Sequence, residues 1–184
     1  MSGTATMVET PAETAREAVV EAEGDFVAFF REYRNRAFHF ALQLTGSRED
    51  AMDLTQEAFL RLHRHWGRRD PNRPPGPWLY AILRHAIVDW RRRLRRDEVL
   101  EASGEGAAVE SRPDVLAERQ ERAALVWEAI RRLPPEQREA VILRDWHGLS
   151  YKEIAQVQGV STGVVGSRLF DAREKLRKHL KGRL

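Results

Sequence analysis

The segment 149–180 constrains the fold most, because it carries the start and stop signals of two short helices. Ser150, with Glu153 three residues later, forms a capping box, and Gly159 can adopt the left-handed backbone that ends a helix. Ser161 is a good N-cap for the second helix. One buried face of that helix is predicted from the helical spacing of Val165, Leu169, Ala172 and Leu176. The segment therefore predicts a helix, a tight turn and a second helix.

The second helix of this segment has an outward face with a basic edge. A short helix, a turn containing glycine and an exposed second helix are typical of the helix-turn-helix of DNA-binding proteins. The alternative is an ordinary helical hairpin with a solvated basic flank. We favour DNA binding because two capped starts, a one-glycine turn and the charge bias occur together. The basic edge consists of Arg168, Arg173, Lys175, Arg177 and Lys178.

The charge of the chain is small in total and uneven in distribution. The net charge is +3, yet residues 84–96 hold six arginines against one aspartate. Residues 168–183 hold seven lysines and arginines against two acids, whereas residues 97–121 hold eight acids against two arginines. Two basic patches separated by an acidic span indicate two contacts with a polyanion.

Several classes of protein and site are disfavoured by composition. The chain has no cysteine, so disulfides and thiolate metal sites are excluded. No apolar run approaches the roughly 20 residues that span a bilayer, and the acidic N-terminus lacks the core of a signal peptide. His63 and His65 point in different directions on a helix, which disfavours a metal pair. We expect a cytoplasmic protein without membrane insertion, metal, cofactor or catalytic residues, and therefore not an enzyme.

Taken in order, the chain predicts an all-α fold of two small helical domains. Residues 1–24 have little to bury and predict a disordered tail, transiently helical at most over 12–23. Residues 25–96 form the first domain, in which the proline-rich loop 67–77 separates helices at about 48–66 and 78–96. Residues 97–113 are a flexible acidic linker. Residues 114–184 form the second domain, with helices at about 114–133 and 135–146 before the helix-turn-helix.

Aromatic residues beside arginines mark the last helix of the first domain. Trp78, Tyr80, Arg84 and His85 are expected to be partly exposed. Rings that stack on bases and cations that hold phosphates are what a single-stranded nucleic-acid surface requires. A core role for Trp78 is an equally good interpretation of the sequence.

Over residues 25–180 the chain resembles the extracytoplasmic-function (ECF) sigma factors, which are RNA polymerase specificity subunits of the sigma-70 family. In the first domain the resemblance is carried by LTGSREDAMDLTQEAFLRLHRHW, similar to the segment that binds core polymerase. In the second it is carried by LPPEQREAVILRDWHGLSYKEIAQVQGVSTGVVGSRL, similar to the domain that reads the −35 promoter element. The resemblance implies a factor that directs core polymerase to promoters and initiates transcription.

The resemblance also implies roles for individual residues and for partners. Core polymerase, through its β′ coiled coil and β flap, would bind Asp53, Gln56, Glu57 and Arg61. The −10 element would be contacted by Trp78, Tyr80, Arg84, His85, Arg91 and Arg92. The −35 element would be contacted by Thr162, Gly163, Gly166, Ser167, Arg168, Phe170, Asp171 and Arg173. An anti-sigma factor is a further implied partner.

Four departures from the family pattern bear on specificity. Gly166 stands where Lys or Arg is usual, and Asp171 adds a carboxylate to the reading face. The −35 sequence is therefore expected to differ from the commonest family motif. PPGPW and His85 depart from the usual −10 residues. The alternative function is a stand-alone helix-turn-helix regulator, which would bind duplex DNA without polymerase; a basic RNA-binding protein is disfavoured because no RNA-module signature is present.

Overall fold

The computed structural model describes residues 11–100, 117–181 and 183, and these contain helices and turns but no strand. The predicted all-α class is therefore confirmed. Most of the predicted linker 97–113 lies outside the described residues. The elements in chain order are α1 (Pro11–Thr45), α2 (Arg48–His65), a 3₁₀ turn (Trp66–Arg68), α3 (Pro75–Leu100), α4 (Ala117–Arg131), α5 (Pro135–Val141), a π-helical turn (Ile142–Trp146), α6 (Tyr151–Gln158) and α7 (Thr162–Leu180).

Helices α1, α2 and α3 form the first helical group. Helix α1 begins at Pro11, inside the segment 1–24 for which we expected a disordered tail. Gly46, at φ 77°, ends it, and the Ser47 side chain accepts a hydrogen bond from the Asp50 N–H to cap α2. The core between the three helices is built from Phe40, Leu54, Phe59, Leu62, Leu79 and Leu83.

Helix α3 begins three residues earlier than the sequence predicted. We expected residues 67–77 to be irregular, and this was wrong for Pro75, Gly76 and Pro77, which form the first turn of the helix. The first four N–H groups of a helix have no partner within it, so a proline there loses no hydrogen bond. Because the prolines lie in this turn, they start the helix and do not break it.

Gly76 is required by a close approach between helices. A Cβ atom at this position would lie 2.7 Å from the Tyr33 hydroxyl oxygen and 2.9 Å from the Tyr33 ring. We expect Gly76→Ala to lower the free energy of unfolding by about 1–3 kcal/mol, because the ring of Tyr33 must move. Urea unfolding followed by circular dichroism measures the change. Gly67→Ala is the matched control, since no atom lies within 4 Å of its added Cβ; equal stability of both variants would contradict the assignment.

Helices α4 to α7, with the π-helical turn, form the second helical group. This group contains the predicted helix-turn-helix, which the structure confirms. Ser150 and Glu153 make both hydrogen bonds of the capping box, and Gly159 ends α6 at φ 66°. The Ser161 hydroxyl oxygen accepts from the Val164 N–H at the start of α7. Three of the four residues predicted for the inner face of α7 are buried, and the fourth, Leu176, is partly buried.

The helix predicted over 135–146 is divided into α5 and a π-helical turn. The His147 N–H donates to the Ile142 carbonyl at 3.2 Å, a five-residue step that widens the last turn. Gly148, at φ 72°, then reverses the chain towards α6. As a result, the side chain of His147 is buried against the first helical group and not exposed to solvent.

The two helical groups pack directly against each other. Helix α6 lies on α3, and the π-helical turn contacts α1. Buried residues of both groups belong to one continuous cluster, in which the Phe40 ring lies 5.5 Å from the ring of His147. The sequence predicted two small helical domains and did not define their relative orientation; in the described structure they form a closed arrangement with a shared core.

Candidate polymerase and nucleic-acid interfaces

The residues predicted to bind core polymerase share one exposed surface of α2. Asp53, Gln56 and Arg61 are exposed, and Glu57 is half-buried. Arg61 forms an ion pair with Glu57 one turn earlier. Such an exposed pair contributes little to stability, about 0.3–0.5 kcal/mol. Within the residues that the structure describes, this surface of α2 faces solvent and is accessible to a partner.

Two apolar side chains on the same surface were missed by the sequence reasoning. Met52 is 57% exposed and Leu60 is 53% exposed, one turn before and one turn after Gln56. The signal was available, because positions four apart on a helix share a face. Large apolar side chains that lie exposed on one face of a helix, among polar residues, indicate a protein-binding patch.

The predicted −10 residues fall into an exposed and a covered set. His85 and Arg92 are exposed, and Trp78 is partly buried against the core. Tyr80 is 1% exposed. Arg84 is largely covered and binds Glu139 of α5 through its Nε at 2.8 Å. In the closed arrangement Tyr80 and Arg84 therefore face the second helical group.

Arg91 is also turned inwards. Its guanidinium donates to the Leu44 carbonyl at 2.6 Å, and burial lowers its pKa. This contact satisfies a carbonyl at the end of α1. The sequence around Arg91, at the start of an arginine run, did not indicate this hydrogen bond, because the acceptor lies 47 residues away in the chain.

A basic groove lies between the proline-rich loop and α6. Its volume is about 880 Å³, and Trp78 forms part of its wall. The Arg69 guanidinium lies 4.5 Å from the centre of the Trp66 ring and donates to Asp25 at 2.9 Å. The sequence indicated that the loop is basic but did not identify these residues as candidates for a binding site. The cationic lining consists of Arg68, Arg69, Arg73 and Lys152.

The outward face of α7 carries most of the predicted −35 residues. Phe170 is 67% exposed, and Gly166 is partly buried beside the ring of Tyr151. Arg173 is exposed and forms an ion pair with Asp145 at 3.4 Å. The fully exposed members of this face also include Thr162, Gly163, Ser167 and Asp171.

Arg168 is the member of the −35 set that points towards the protein. Its Nη1 donates to Gln158 Oε1 at 2.7 Å, and Gln158 itself donates to the Glu136 carbonyl at 3.0 Å. Arg168 thus joins the two helices of the helix-turn-helix. Its guanidinium is therefore directed towards α6 and not towards the exposed face of α7.

Two buried titratable groups lie where the helical groups meet. Burial raises the pKa of Glu139, although Arg84 beside it opposes the effect. Burial lowers the pKa of His147 from 6.5 to about 4, and the neighbouring cation Arg36 adds to the effect. At neutral pH His147 is therefore neutral in the closed arrangement.

Family models match both helical groups separately. Residues 29–97 match sigma-70 region 2, and residues 123–176 match sigma-70 region 4. A chain with both regions in this order, an exposed helical surface on the first and a helix-turn-helix in the second is an RNA polymerase sigma factor. A stand-alone regulator is disfavoured, since its first domain has no reason to match region 2.

Two individual relatives show which group of sigma factors the chain is similar to. The chain is 35% identical over 182 residues to the ECF RNA polymerase sigma factor SigE of Mycolicibacterium smegmatis, covering 94% of this chain and 70% of the relative. It is 38% identical over 141 residues to EcfG of Rhodopseudomonas palustris, covering 74% and 75%. The chain belongs to the ECF sigma factors.

A solved structure agrees with this assignment. The sigma factor RpoE of Bartonella quintana, crystallised with the anti-sigma factor NepR, matches with a TM-score of 0.74 and 25% identity, over 86% of this chain and 98% of RpoE. CnrH, solved with the cytosolic domain of CnrY, matches with a TM-score of 0.63 and 26% identity, over 89% and 94%. Within the residues that the structure describes, no helix is long and apolar enough to span a membrane.

Proposed function

We propose that this sigma factor binds core polymerase through the α2 surface and reads the promoter at two elements. The observation that carries the proposal is the pair of exposed surfaces, on α2 and on α7, on which the apolar side chains of Met52, Leu60 and Phe170 lie exposed beside polar ones. The α2 surface presents Asp53, Gln56, Glu57 and Arg61 to the β′ coiled coil. The exposed face of α7 enters the major groove at the −35 element, where Phe170 offers an apolar contact to a thymine methyl group.

The −10 element is assigned to the helix α3 and the loop before it. Trp78, His85 and Arg92 remain accessible, and the cations of the groove lie beside Trp78. Stacking on an aromatic ring contributes roughly 1–3 kcal/mol per base, which supports holding an opened strand. The β flap is proposed as a contact of the second domain.

The same proposal covers catalysis and regulation. The factor supplies positioning and strand capture, and the chemistry belongs to the polymerase. A protein of the anti-sigma class is its proposed regulator, since RpoE was crystallised with the anti-sigma factor NepR and CnrH was also solved in a complex, with the cytosolic domain of CnrY. The α2 surface and the basic groove are the faces that such a partner would block.

Run-off transcription tests the proposed function. Templates selected from a random promoter library should yield transcripts only when core polymerase and this chain are both present. Discrete initiation sites with paired −10 and −35 sequences are the expected result. Footprinting of duplex DNA by the chain alone, with no transcripts in the presence of core, would instead support a stand-alone regulator.

Gly166 offers a gain-of-function test of the −35 assignment. A Cβ at this position meets only Tyr151 Cε2 at 4.0 Å, so a longer side chain fits without strain. We expect Gly166→Lys to strengthen duplex binding by holoenzyme and to steepen its salt dependence by about one unit of slope, as one added phosphate contact requires. Binding across a series of salt concentrations measures this. The slope should not change for the control Arg64→Lys, a surface position on α2. An unchanged slope for Gly166→Lys would show that this part of α7 does not contact DNA.

A further inference from the structure

The basic groove between the proline-rich loop and α6 has the dimensions of a small-molecule site. Its volume is about 880 Å³. Pockets that bind small molecules and cofactors have volumes of roughly 300–1,000 Å³. One wall of the groove comes from the loop and the start of α3, and the other comes from Lys152, Glu153 and Gln156 of α6. Side chains of both helical groups therefore face the same space.

The charge of the groove favours an anionic ligand. Its four lysine and arginine side chains face two carboxylates. The Asp70 carboxylate accepts a hydrogen bond from the Asn72 N–H at 2.9 Å and pairs with Arg73 at 3.5 Å. The Glu153 carboxylate accepts from the N–H and the hydroxyl of Ser150, both at 2.7 Å. Because both carboxylates already have partners in the protein, the excess positive charge of the groove is available to a ligand.

Contacts within the protein hold the loop in its shape. The Arg69 side chain is anchored between Asp25, to which it donates at 2.9 Å, and the ring of Trp66. The Arg73 N–H donates to the Asp70 carbonyl at 3.1 Å, which closes a turn. A binding loop that is ordered in advance loses less conformational entropy when it captures a ligand. The loop wall is therefore pre-organised for binding.

An aromatic ring lies in the same wall as these cations. Trp78 is partly buried and lines the groove together with Pro74, Pro75 and Pro77. The face of an indole ring stacks on a nucleobase, whereas arginine and lysine side chains bind phosphate oxygens. A molecule that carries a planar base and a phosphate chain uses both parts of this lining. The lining therefore fits a nucleotide better than a simple anion.

The distribution of the cations indicates how many phosphates the ligand carries. Arg68 and Arg73 are exposed on the loop, and Lys152 is exposed on α6, so positive charge stands on both walls. A chain of two or three phosphates offers oxygens to both walls, which a single phosphate does less well. We propose that the basic groove binds a free nucleoside di- or triphosphate. The inference goes beyond the proposed function and does not depend on it, because it concerns the chain without polymerase.

Nuclear magnetic resonance of the full chain tests this site directly. The sequence has five tryptophans, so the indole N–H region of isotope-labelled protein contains five resonances. The Trp78 resonance is identified by its loss in Trp78→Phe, and the Trp146 resonance by its loss in Trp146→Phe. Titration with GDP or ATP should shift the Trp78 resonance in a saturable way. The Trp146 resonance, from a ring that is 43% exposed outside the groove, should not move.

Fragments of the ligand and variants of the groove show which contacts carry the binding. Pyrophosphate and guanosine should each bind at least about tenfold more weakly than GDP, because each uses only one part of the lining. Arg68→Ala and Lys152→Ala alter exposed side chains, so the fold should be retained by circular dichroism. Each should weaken GDP binding about three- to tenfold through the loss of a charged contact. Lys178→Ala is the matched control, because Lys178 is an exposed lysine on the basic edge of α7, and it should bind GDP like the parent chain.

The possible results separate this site from the proposed function. The site is overturned if neither GDP nor ATP shifts the Trp78 resonance at millimolar concentration, if pyrophosphate binds as tightly as GDP, or if Lys178→Ala and Lys152→Ala weaken binding equally. Tighter binding of a single-stranded oligonucleotide than of GDP, with the same loss in Arg68→Ala and Lys152→Ala, would assign the groove to a strand and also overturn the proposal. If GDP or ATP binds as expected but run-off transcription never depends on the chain, the site stands and the proposed function fails.

Discussion

The double substitution Gln56→Ala/Glu57→Ala is expected to abolish transcription that depends on this factor. Both side chains lie on the α2 surface and neither contributes to the core, so the fold should survive. We expect both residues to be hot spots of the interface, and truncation of a hot-spot residue costs about 2 kcal/mol or more. Loss of two such contacts should weaken binding to core polymerase by roughly a hundredfold to a thousandfold.

Equilibrium binding of the fluorescently labelled factor to core polymerase measures this loss, and run-off transcription reports its consequence. Arg48→Ala is the control, because Arg48 is exposed on the same helix and lies on a different side of it from the proposed patch. Leu60→Ala should give an intermediate loss, since it removes apolar area beside Gln56. If the Gln56/Glu57 variant binds core polymerase as tightly as the parent chain, the α2 surface is not the polymerase interface.

Local rules accounted for the helix-turn-helix. The capping box at Ser150, the left-handed Gly159 and the N-cap Ser161 are each determined by residues within a few positions, and all three appear in the structure. The exposed surface of α2 followed in the same way from helical periodicity. Assigning that surface to a polymerase required the resemblance, because periodicity cannot distinguish a binding face from a solvated one.

The packing between the helical groups could not be predicted in this way. Tyr80 and Arg84 find partners more than 50 residues away in the chain, and no local pattern specifies such a contact. One sign was present in α3, where Tyr80, Leu83 and Ile87 form a second apolar stripe beside the one that was recognised. All three are buried, which means that α3 is covered on two sides. The π-helical turn that aims His147 also left no trace in the sequence.

Protonation of His147 should separate the two helical groups as the pH falls, because the neutral ring is buried between them. Its pKa is about 4 in the closed arrangement, against the ordinary 6.5 expected when the groups separate. The open form therefore binds the proton more readily. The contribution of His147 to closure is complete above its ordinary pKa and is lost progressively as the pH falls from 6.5 towards 4. At about pH 5.5 the ratio of open to closed molecules should be roughly tenfold higher than at about pH 8.

Other charged groups near His147 set the conditions of this measurement. The groups that face it are Tyr33, Arg36 and His39 of α1, Tyr80 of α3 and Glu153 of α6. Arg36 and His39 disfavour the protonated form. Glu139 acts in the opposite sense, because burial raises its pKa in the closed arrangement and acid then favours closure. The contribution of His147 is therefore obtained from the difference between the parent chain and His147→Gln.

The chain has no cysteine, so spin labels can be attached at Arg34→Cys on α1 and Lys178→Cys on α7, both exposed positions. The distance between the labels, followed between about pH 8 and about pH 5, provides that difference. In the parent chain the distance should increase on acidification, whereas in His147→Gln it should be long at every pH, with no increase attributable to the imidazole. His85→Gln is the control, because His85 is an exposed imidazole on α3 whose ring bonds only to the Ala81 carbonyl within its own helix. It should retain the full pH response of the parent chain. A parent chain and His147→Gln that respond identically would show that closure does not depend on the neutral form of His147.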